Sequence, residues 1–120
     1  MFAFRNGIMD IVFRTGKLQK ELCTTKLLQR AHGARQAALI QRRLTEIEAA
    51  PTLGILRSLP GPRCHELKGN RKGQFSLDLV HPYRLLLVPH HNPIPTKNDG
   101  GIDLTKVTTV KILGIVDTHE

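Results

Sequence analysis

The sequence predicts an α+β fold in which two N-terminal helices pack on one face of a small antiparallel sheet. Apolar residues recur at helical spacing in the first half of the chain and at alternating positions in the second half. The order of one strand, two helices and then a run of strands is typical of this fold class. A chain of 120 residues is long enough for one domain with a modest core, so residues 1–120 are expected to form a single unit.

The first half of the chain contains a short strand and two helices. The strand is predicted at residues 9–13. A first helix is predicted over residues 16–30, with Thr24 and Thr25 weakening its middle and Gly33 capping its C-terminal end. A second helix, over residues 34–49, has an apolar face at spacings of three and four. Its inward positions are Ala37, Ile40, Leu44 and Ile47, and the residues on or near its outer face are Arg35, Gln36, Arg42, Arg43 and Glu46.

The second half of the chain is predicted to be mostly sheet. One short helical turn at residues 53–56 precedes the firm break LPGP. Strands follow at residues 63–67, 74–80, 83–88 and 107–117. In the last strand, alternation places Val110, Ile112 and Val116 on one face and Lys111, Leu113, Ile115 and Asp117 on the other. The Pro-, Gly- and His-rich stretch between the last two strands, residues 89–106, is expected to be a long loop.

The charge of the chain favours an anionic partner. Eighteen Lys and Arg residues against ten Asp and Glu give a net charge of +8, which suits nucleic acid, a membrane surface or an acidic protein. No stretch approaches the roughly twenty apolar residues that span a bilayer, and no secretory signal is recognisable, so a cytoplasmic location is expected. The two cysteines lack CxxC spacing and are expected to be reduced thiols. Met9 is an alternative start to Met1, which would leave residues 1–8 as an extension.

A basic segment stands out in the predicted sheet. His65, Lys68, Arg71, Lys72 and Arg84 fall within thirty residues that contain little acid. Arginine binds phosphate oxygens through a planar fork, and histidine can transfer protons near neutral pH. The segment therefore predicts a surface that binds phosphate.

The run HELKGNRKGQFS, the arginine in PYRLLL and the terminal VDTHE resemble the HigB branch of the RelE/ParE toxin superfamily, the plasmid-maintenance killer proteins. The resemblance extends from about residue 9 to the C-terminus. It implies the toxin of a type II toxin–antitoxin pair, a ribosome-dependent endoribonuclease (mRNA interferase) that cuts mRNA. It also implies a HigA-like helix-turn-helix antitoxin as partner, and no metal or cofactor.

The same resemblance assigns roles to individual residues. His65 and His119 would share acid–base catalysis as a ribose 2′-hydroxyl attacks the adjacent phosphorus. Asp117 would orient or polarise a histidine or accept a proton, and Arg84 would stabilise the charge that grows on the phosphate. If the last strand continues, Asp117 and His119 lie on one face of the sheet, and His65 is expected to reach the same face. The remaining cations, Lys68, Arg71 and Lys72, would bind the RNA backbone. Thr118 stands where many HigB sequences have tyrosine, which puts base recognition in question.

Other interpretations remain open from the sequence alone. Arg84 in an apolar strand could instead pair with Asp78 or Asp117, and the basic turn could be an ordinary solvated turn. His81, His90 and His91 with Cys64 match no familiar zinc spacing, so no metal is expected. Two alternative functions belong to the same fold: a ParE-like inhibitor of DNA gyrase, and a non-catalytic module that binds RNA or the ribosome.

Overall fold

The computed structural model describes residues 8–117, which form three α-helices and one five-stranded sheet. The strands are β1 (Asp10–Phe13), β2 (His65–Glu66), β3 (Phe75–Asp78), β4 (Tyr83–Pro89) and β5 (Thr109–Asp117). The helices are α1 (Gly16–Cys23), α2 (Thr25–Ala49) and α3 (Leu53–Ser58). The predicted α+β fold is confirmed, including the short helix that follows Pro51.

The strand order is β1-β5-β4-β3-β2. Strands β2 to β5 pair antiparallel, as predicted, but β1 pairs with β5 in parallel, with Ile11 opposite Val110. The sheet is therefore mixed. The parallel pairing is possible because the three helices and three further strands lie between β1 and β5 in the chain, so no tight hairpin has to join them.

The helical region breaks at two points. Thr15 caps α1 by accepting a hydrogen bond from Leu18 N at 3.0 Å. Thr24 has extended backbone angles and ends this helix, so the predicted first helix is divided where the paired threonines weaken it. Gly33 has φ 80° and ψ 160°, a non-helical conformation that only glycine adopts readily, so α2 consists of two helical stretches that meet at a kink where the first stretch was predicted to end.

The core lies between the helices and one face of the sheet. The helices contribute Leu22, Leu28, Ala37, Ile40 and Ile47, and the sheet contributes Phe75, Leu77, Leu85, Leu87, Val110 and Ile112, all buried. The predicted inward face of the second helix is therefore confirmed, with Leu44 partly buried at its margin.

Arg43 lies inside the protein, although the sequence places it on the outer face of α2. Its side chain is 8% exposed and donates to three oxygens. Nε bonds the Asp78 carbonyl at 2.7 Å, Nη1 bonds Glu46 Oε1 at 2.8 Å, and Nη2 bonds the Gly61 carbonyl at 3.3 Å. The prediction was wrong because helical periodicity cannot show that loop carbonyls will meet a buried cation. Arg43 thus ties α2 to the end of β3 and to the LPGP turn.

A β-bulge interrupts β5. The pairing register shifts between Leu86 and Leu87 of β4, which leaves Leu113 of β5 without a partner on β4. The carbonyl of Leu113 accepts a hydrogen bond from Arg14 Nε at 2.9 Å, so the unpaired residue still has a polar partner. Gly114, the next residue, has φ 148°, which side chains with a Cβ rarely adopt.

The bulge reverses the faces of the residues that follow it. Val110 and Ile112 face the helices, as predicted. Beyond the bulge, Ile115 is opposite Leu85 and packs on the core, while Val116 is opposite Arg84 and faces away from the helices. The prediction that Val116 shares a face with Val110 was wrong because it assumed strict alternation along the whole of β5. The strand has one extra residue at the bulge, and alternation is reversed after it.

The segment between β4 and β5 has structure of its own. Thr96 and Ile102 form an isolated β-bridge. The ring of His91 accepts hydrogen bonds at Nε2 from the backbone N–H groups of Thr108 (3.1 Å) and Thr109 (3.3 Å), which fastens the segment to the start of β5. None of the helices in residues 8–117 is long and apolar enough to cross a membrane.

Candidate nucleic-acid interface

The face of the sheet opposite the helices, called the outer face here, brings His65 and Arg84 together. His65 of β2 is paired with Ser76 of β3, so the two side chains share a face. Ser76 is paired with Leu86, and Arg84 lies two residues before Leu86 on β4, so it points the same way. Phe75 and the other core residues of these strands alternate to the helix side.

His65 is exposed, and one ring nitrogen is held by the backbone. Its Nδ1 lies 3.2 Å from the carbonyl oxygen of Arg63. A carbonyl can only accept, so this contact requires the hydrogen to be on Nδ1. In the neutral ring, Nε2 then carries the free lone pair and can act as a proton acceptor.

Arg84 is partly exposed and lies against β3. Its Nη1 is 3.3 Å from Asp78 Oδ1 and 3.4 Å from the buried hydroxyl of Ser76. The salt bridge with Asp78, considered from the sequence as an alternative to a role in phosphate binding, is therefore present. Oδ1 of Asp78 is nevertheless buried without a hydrogen bond, so the two groups are close but poorly aligned. Since 32% of the Arg84 side chain is exposed, the guanidinium keeps donors for a ligand.

Strand geometry sets the approximate distance between these two groups. Neighbouring strands lie about 4.8 Å apart, so the backbones of β2 and β4 are separated by roughly 10 Å. The contacts of Arg84 with Ser76 and Asp78 show that its guanidinium lies over β3, towards β2. The gap between the guanidinium and His65 is then on the order of one strand spacing. A phosphodiester in that gap would contact the cation on one side and the imidazole on the other.

The basic turn between β2 and β3 borders this face. Gly69–Arg71 forms one turn of 3-10 helix, and Lys68 and Lys72 on either side of it are exposed. Arg71 Nη1 donates to Gln74 Oε1 at 3.3 Å, and Glu66 accepts from the Gly73 N–H at 3.1 Å. A depression of about 570 Å³ is lined by Lys68, Gly69, Asn70, Arg71 and Gln74. The turn is ordered by its own contacts and keeps its cations at the surface, as backbone binding requires.

Asp117 does not share the outer face. It is paired with Tyr83, the neighbour of Arg84, and the bulge turns it to the helix side of the sheet. Its side chain is exposed at the end of β5. The expectation that Asp117 and His65 reach one face is therefore wrong for the described part of the chain, for the same reason as for Val116. The predicted catalytic residue His119 and the substituted position Thr118 lie outside the described residues.

Two residues near Arg84 had no role in the sequence-based site. Arg63 has φ 51° and a side chain that is 72% exposed, and its Nε lies 3.4 Å from Asp78 Oδ2. Tyr83 is 46% exposed. With His81 they line a cleft of about 290 Å³ at the end of the β3–β4 hairpin. The sequence contained one indication that each residue could belong to the site. Arg63 is a cation next to a rigid turn, and Tyr83 is the only tyrosine in the chain.

In the described part of the chain, Cys64 and His91 are both engaged structurally and are not available for a second reactive site. Burial raises the pKa of the Cys64 thiol to about 12, so the thiol is protonated at neutral pH and unsuited to metal binding or nucleophilic attack. His91 is occupied by the backbone of β5. Within residues 8–117, no group of three His, Cys, Asp or Glu side chains is arranged to hold a metal ion.

No protein-family model and no curated protein sequence matches this chain. A solved structure does: the YoeB–YefM complex from Staphylococcus aureus, with a TM-score of 0.51 at 15% sequence identity. The alignment covers 93% of this chain and 98% of that one. The chain therefore shares its fold with a protein of that complex. At this identity the likeness establishes the fold alone, and membership of the HigB branch stays a prediction.

Proposed function

We propose that the protein is the toxin of a type II toxin–antitoxin pair, a cytoplasmic endoribonuclease that cuts mRNA on the translating ribosome. Three observations support this proposal: the fold, the net charge of +8, and the resemblance of the basic segment to HigB toxins. The observation that carries it is the outer face, where His65 of β2 and Arg84 of β4 lie on either side of β3 with their side chains on the same face.

In the proposed reaction His65 is the proton acceptor. Its Nδ1 hydrogen is engaged by the Arg63 carbonyl, so Nε2 takes the proton from the ribose 2′-hydroxyl as that oxygen attacks phosphorus. Arg84 stabilises the negative charge that develops on the phosphate oxygens. The 5′-oxygen leaves with a proton, and we assign its donor to His119 with Asp117 orienting that histidine. None of these steps uses a metal.

The basic turn supplies the contacts along the strand. Lys68, Arg71 and Lys72 bind phosphates on one side of the cleaved bond and draw the protein to RNA with little sequence preference. The chain has no tryptophan and only five Phe and Tyr residues, so it offers few surfaces on which free bases can stack. An mRNA already bent and held by the ribosome would remove that disadvantage, which is why we propose dependence on translation.

A protein partner is part of the proposal. The solved neighbour is a complex of two proteins, YoeB and YefM, which supports an antitoxin as partner for this chain as well. We expect it to be a small HigA-like helix-turn-helix protein encoded by an adjacent reading frame. Absence of such a frame would weigh against the toxin assignment.

The test is primer extension on a reporter mRNA in a bacterial translation extract, with wild-type protein and single variants. New mRNA ends are expected only during translation, and His65→Ala should slow their formation by about 10²- to 10⁴-fold. The matched control is His90→Ala, which removes an exposed histidine outside the proposed site and should cut like wild type. Arg84→Ala should lower the rate by about 10²- to 10³-fold.

Three results would contradict this proposal. Intact mRNA with wild-type protein would exclude the nuclease, and DNA damage under the same condition would favour a gyrase inhibitor. Arrest of translation that His65→Ala leaves unchanged would favour a non-catalytic ribosome-binding module. Efficient cutting of naked RNA would disprove ribosome dependence while leaving the catalytic residues in place.

A further inference from the structure

A second basic surface lies where the tip of the β3–β4 hairpin packs against α2. A depression of about 420 Å³ separates the two elements there, and we call it the α2 groove. Its walls include Arg35, Ala38, Leu39 and Arg42 of α2 and Val80 and His81 of the hairpin. None of the residues that line it is acidic, and the proposed function assigns no role to any of them.

The two walls of the α2 groove are held together by hydrogen bonds. Gln36 of α2 accepts the Val80 N–H through Oε1 at 2.8 Å. Arg43, one helical turn past Leu39, donates from Nε to the Asp78 carbonyl at 2.7 Å. The groove is therefore formed before any ligand arrives, so binding does not have to order its walls.

Two arginines of α2 give the groove its charge. Arg35 and Arg42 are seven residues apart, so they lie on one side of the helix about 10.5 Å apart along its axis. Arg35 is exposed and makes no ion pair within residues 8–117. Arg42 is 71% exposed and lies 3.6 Å from a carboxylate oxygen of Glu46, whose other oxygen bonds Arg43 at 2.8 Å. An exposed contact of this kind is weak, so both guanidinium groups can bind an anion.

The α2 groove adjoins the proposed catalytic face. Leu79 and His81 line both this groove and the cleft of about 290 Å³ at the end of the hairpin. Arg63 and Arg84 line the same cleft, and Arg84 is the residue to which we assign the reacting phosphate. Cationic side chains therefore follow one another from the outer face, past the hairpin tip, to α2. An anion that spans this distance carries a series of negative charges, as the backbone of a nucleic acid does.

We propose that the α2 groove binds the RNA strand that the outer face holds, some nucleotides away from the cleaved bond, with Arg35 and Arg42 on its phosphates. The ligand class rests on the function proposed above. An acidic protein segment could pair with the same two arginines, but the continuity of the groove with the outer face favours RNA. Because the contacts are to phosphates, the groove adds affinity without sequence preference.

The length of the RNA isolates the groove experimentally. A 2′-O-methyl RNA is bound without being cut, because the attacking hydroxyl is blocked. A trimer is long enough for the gap between His65 and Arg84, whereas a nonamer can also reach α2. The anisotropy of each labelled RNA is measured against the full-length protein over a range of salt concentrations. Wild type should bind the nonamer more tightly than the trimer and with a steeper dependence of log K on log salt.

A double variant tests the two arginines. Arg35→Ala combined with Arg42→Ala should weaken nonamer binding about tenfold at about 0.15 M salt, lower the salt slope by about 1.4, and leave trimer binding unchanged. The matched control combines Lys26→Ala with Arg30→Ala, two exposed cations of α2 that precede the kink at Gly33. It removes the same charge and should bind both RNAs within about twofold of wild type, since charges more than about 8 Å away are screened at this salt. Circular dichroism verifies that each variant is folded.

Three results would overturn the proposal: nonamer binding by the Arg35 and Arg42 variant equal to wild type, an equal loss in the Lys26 and Arg30 control, or an equal loss for the trimer and the nonamer. The first of these would leave an acidic protein segment as the ligand of the groove. The outcome does not depend on cleavage. If the loss is specific to the nonamer but no mRNA is cut, the groove stands and the nuclease proposal fails. If mRNA is cut while the double variant binds the nonamer like wild type, the groove alone is wrong.

Discussion

Replacing Arg43 with methionine should destabilise the protein strongly, although Arg43 lies on a helix where arginines are usually solvated. The side chain is 8% exposed and donates to the carbonyls of Asp78 and Gly61 and to the carboxylate of Glu46. Methionine keeps most of the buried volume but none of the donors. The two carbonyls then lose their charged partner, and Glu46 is left partly buried without its cation.

The magnitude follows from these three contacts. A hydrogen bond to a charged group contributes about 1.5–3 kcal/mol, and removing one member of a buried ion pair costs about 3–5 kcal/mol. Glu46 is 23% exposed, so water recovers part of its loss, and the three contacts share one guanidinium, so their separate contributions do not add. We expect the free energy of unfolding to fall by about 3–5 kcal/mol. That is a large part of the about 5–15 kcal/mol typical of whole proteins.

The assay is urea unfolding followed by circular dichroism, and the adjacent residue provides the control. Arg42 has a side chain that is 71% exposed and lies 3.6 Å from the same glutamate. Arg42→Met should therefore change the free energy of unfolding by less than about 1 kcal/mol. A loss below about 1 kcal/mol for Arg43→Met, or equal losses for the two variants, would show that Arg43 does not join α2 to the hairpin.

Three further predictions concern the backbone, a thiol and the basic turn. Gly33→Ala should destabilise by about 1–3 kcal/mol in the same urea assay because of its φ of 80°, while Gly16→Ala, at a position with open space, should not. Burial raises the pKa of Cys64 from 9 to about 12, so the folded state retains that proton and stability falls as pH rises above 9. Relative to Cys64→Ala, wild type should lose about 2–3 kcal/mol between pH 9 and 11, and parallel pH profiles would contradict this. Lys68→Ala and Arg71→Ala should each lower the salt dependence of RNA binding by about 0.7 without changing which sequence is preferred, and an unchanged slope would mean that the turn does not touch RNA.

Local patterns in the sequence were sufficient to predict most elements of this fold. The apolar spacing of Ala37, Ile40 and Ile47 and the alternation at Phe75 and Leu77 depend only on neighbouring residues, and both are confirmed. The burial of Arg43 could not be predicted because its two carbonyl partners lie 18 and 35 residues away, and no helical pattern contains them. The same limit applies to the site. His65 and Arg84 share a face because of the pairing between β2, β3 and β4, which local sequence patterns do not reveal.

The bulge at Leu113 leads to the most discriminating test of the catalytic assignment. Spacing alone places Asp117 on the face of His65, but one extra residue in β5 turns it to the opposite face, beside Tyr83. A carboxylate there can orient another group but cannot touch a phosphate held between His65 and Arg84. Asp117→Asn should therefore slow mRNA cleavage by only about tenfold, against about 10²- to 10⁴-fold for His65→Ala. Equal losses in the two variants would place Asp117 at the reacting atoms and refute the argument from strand register.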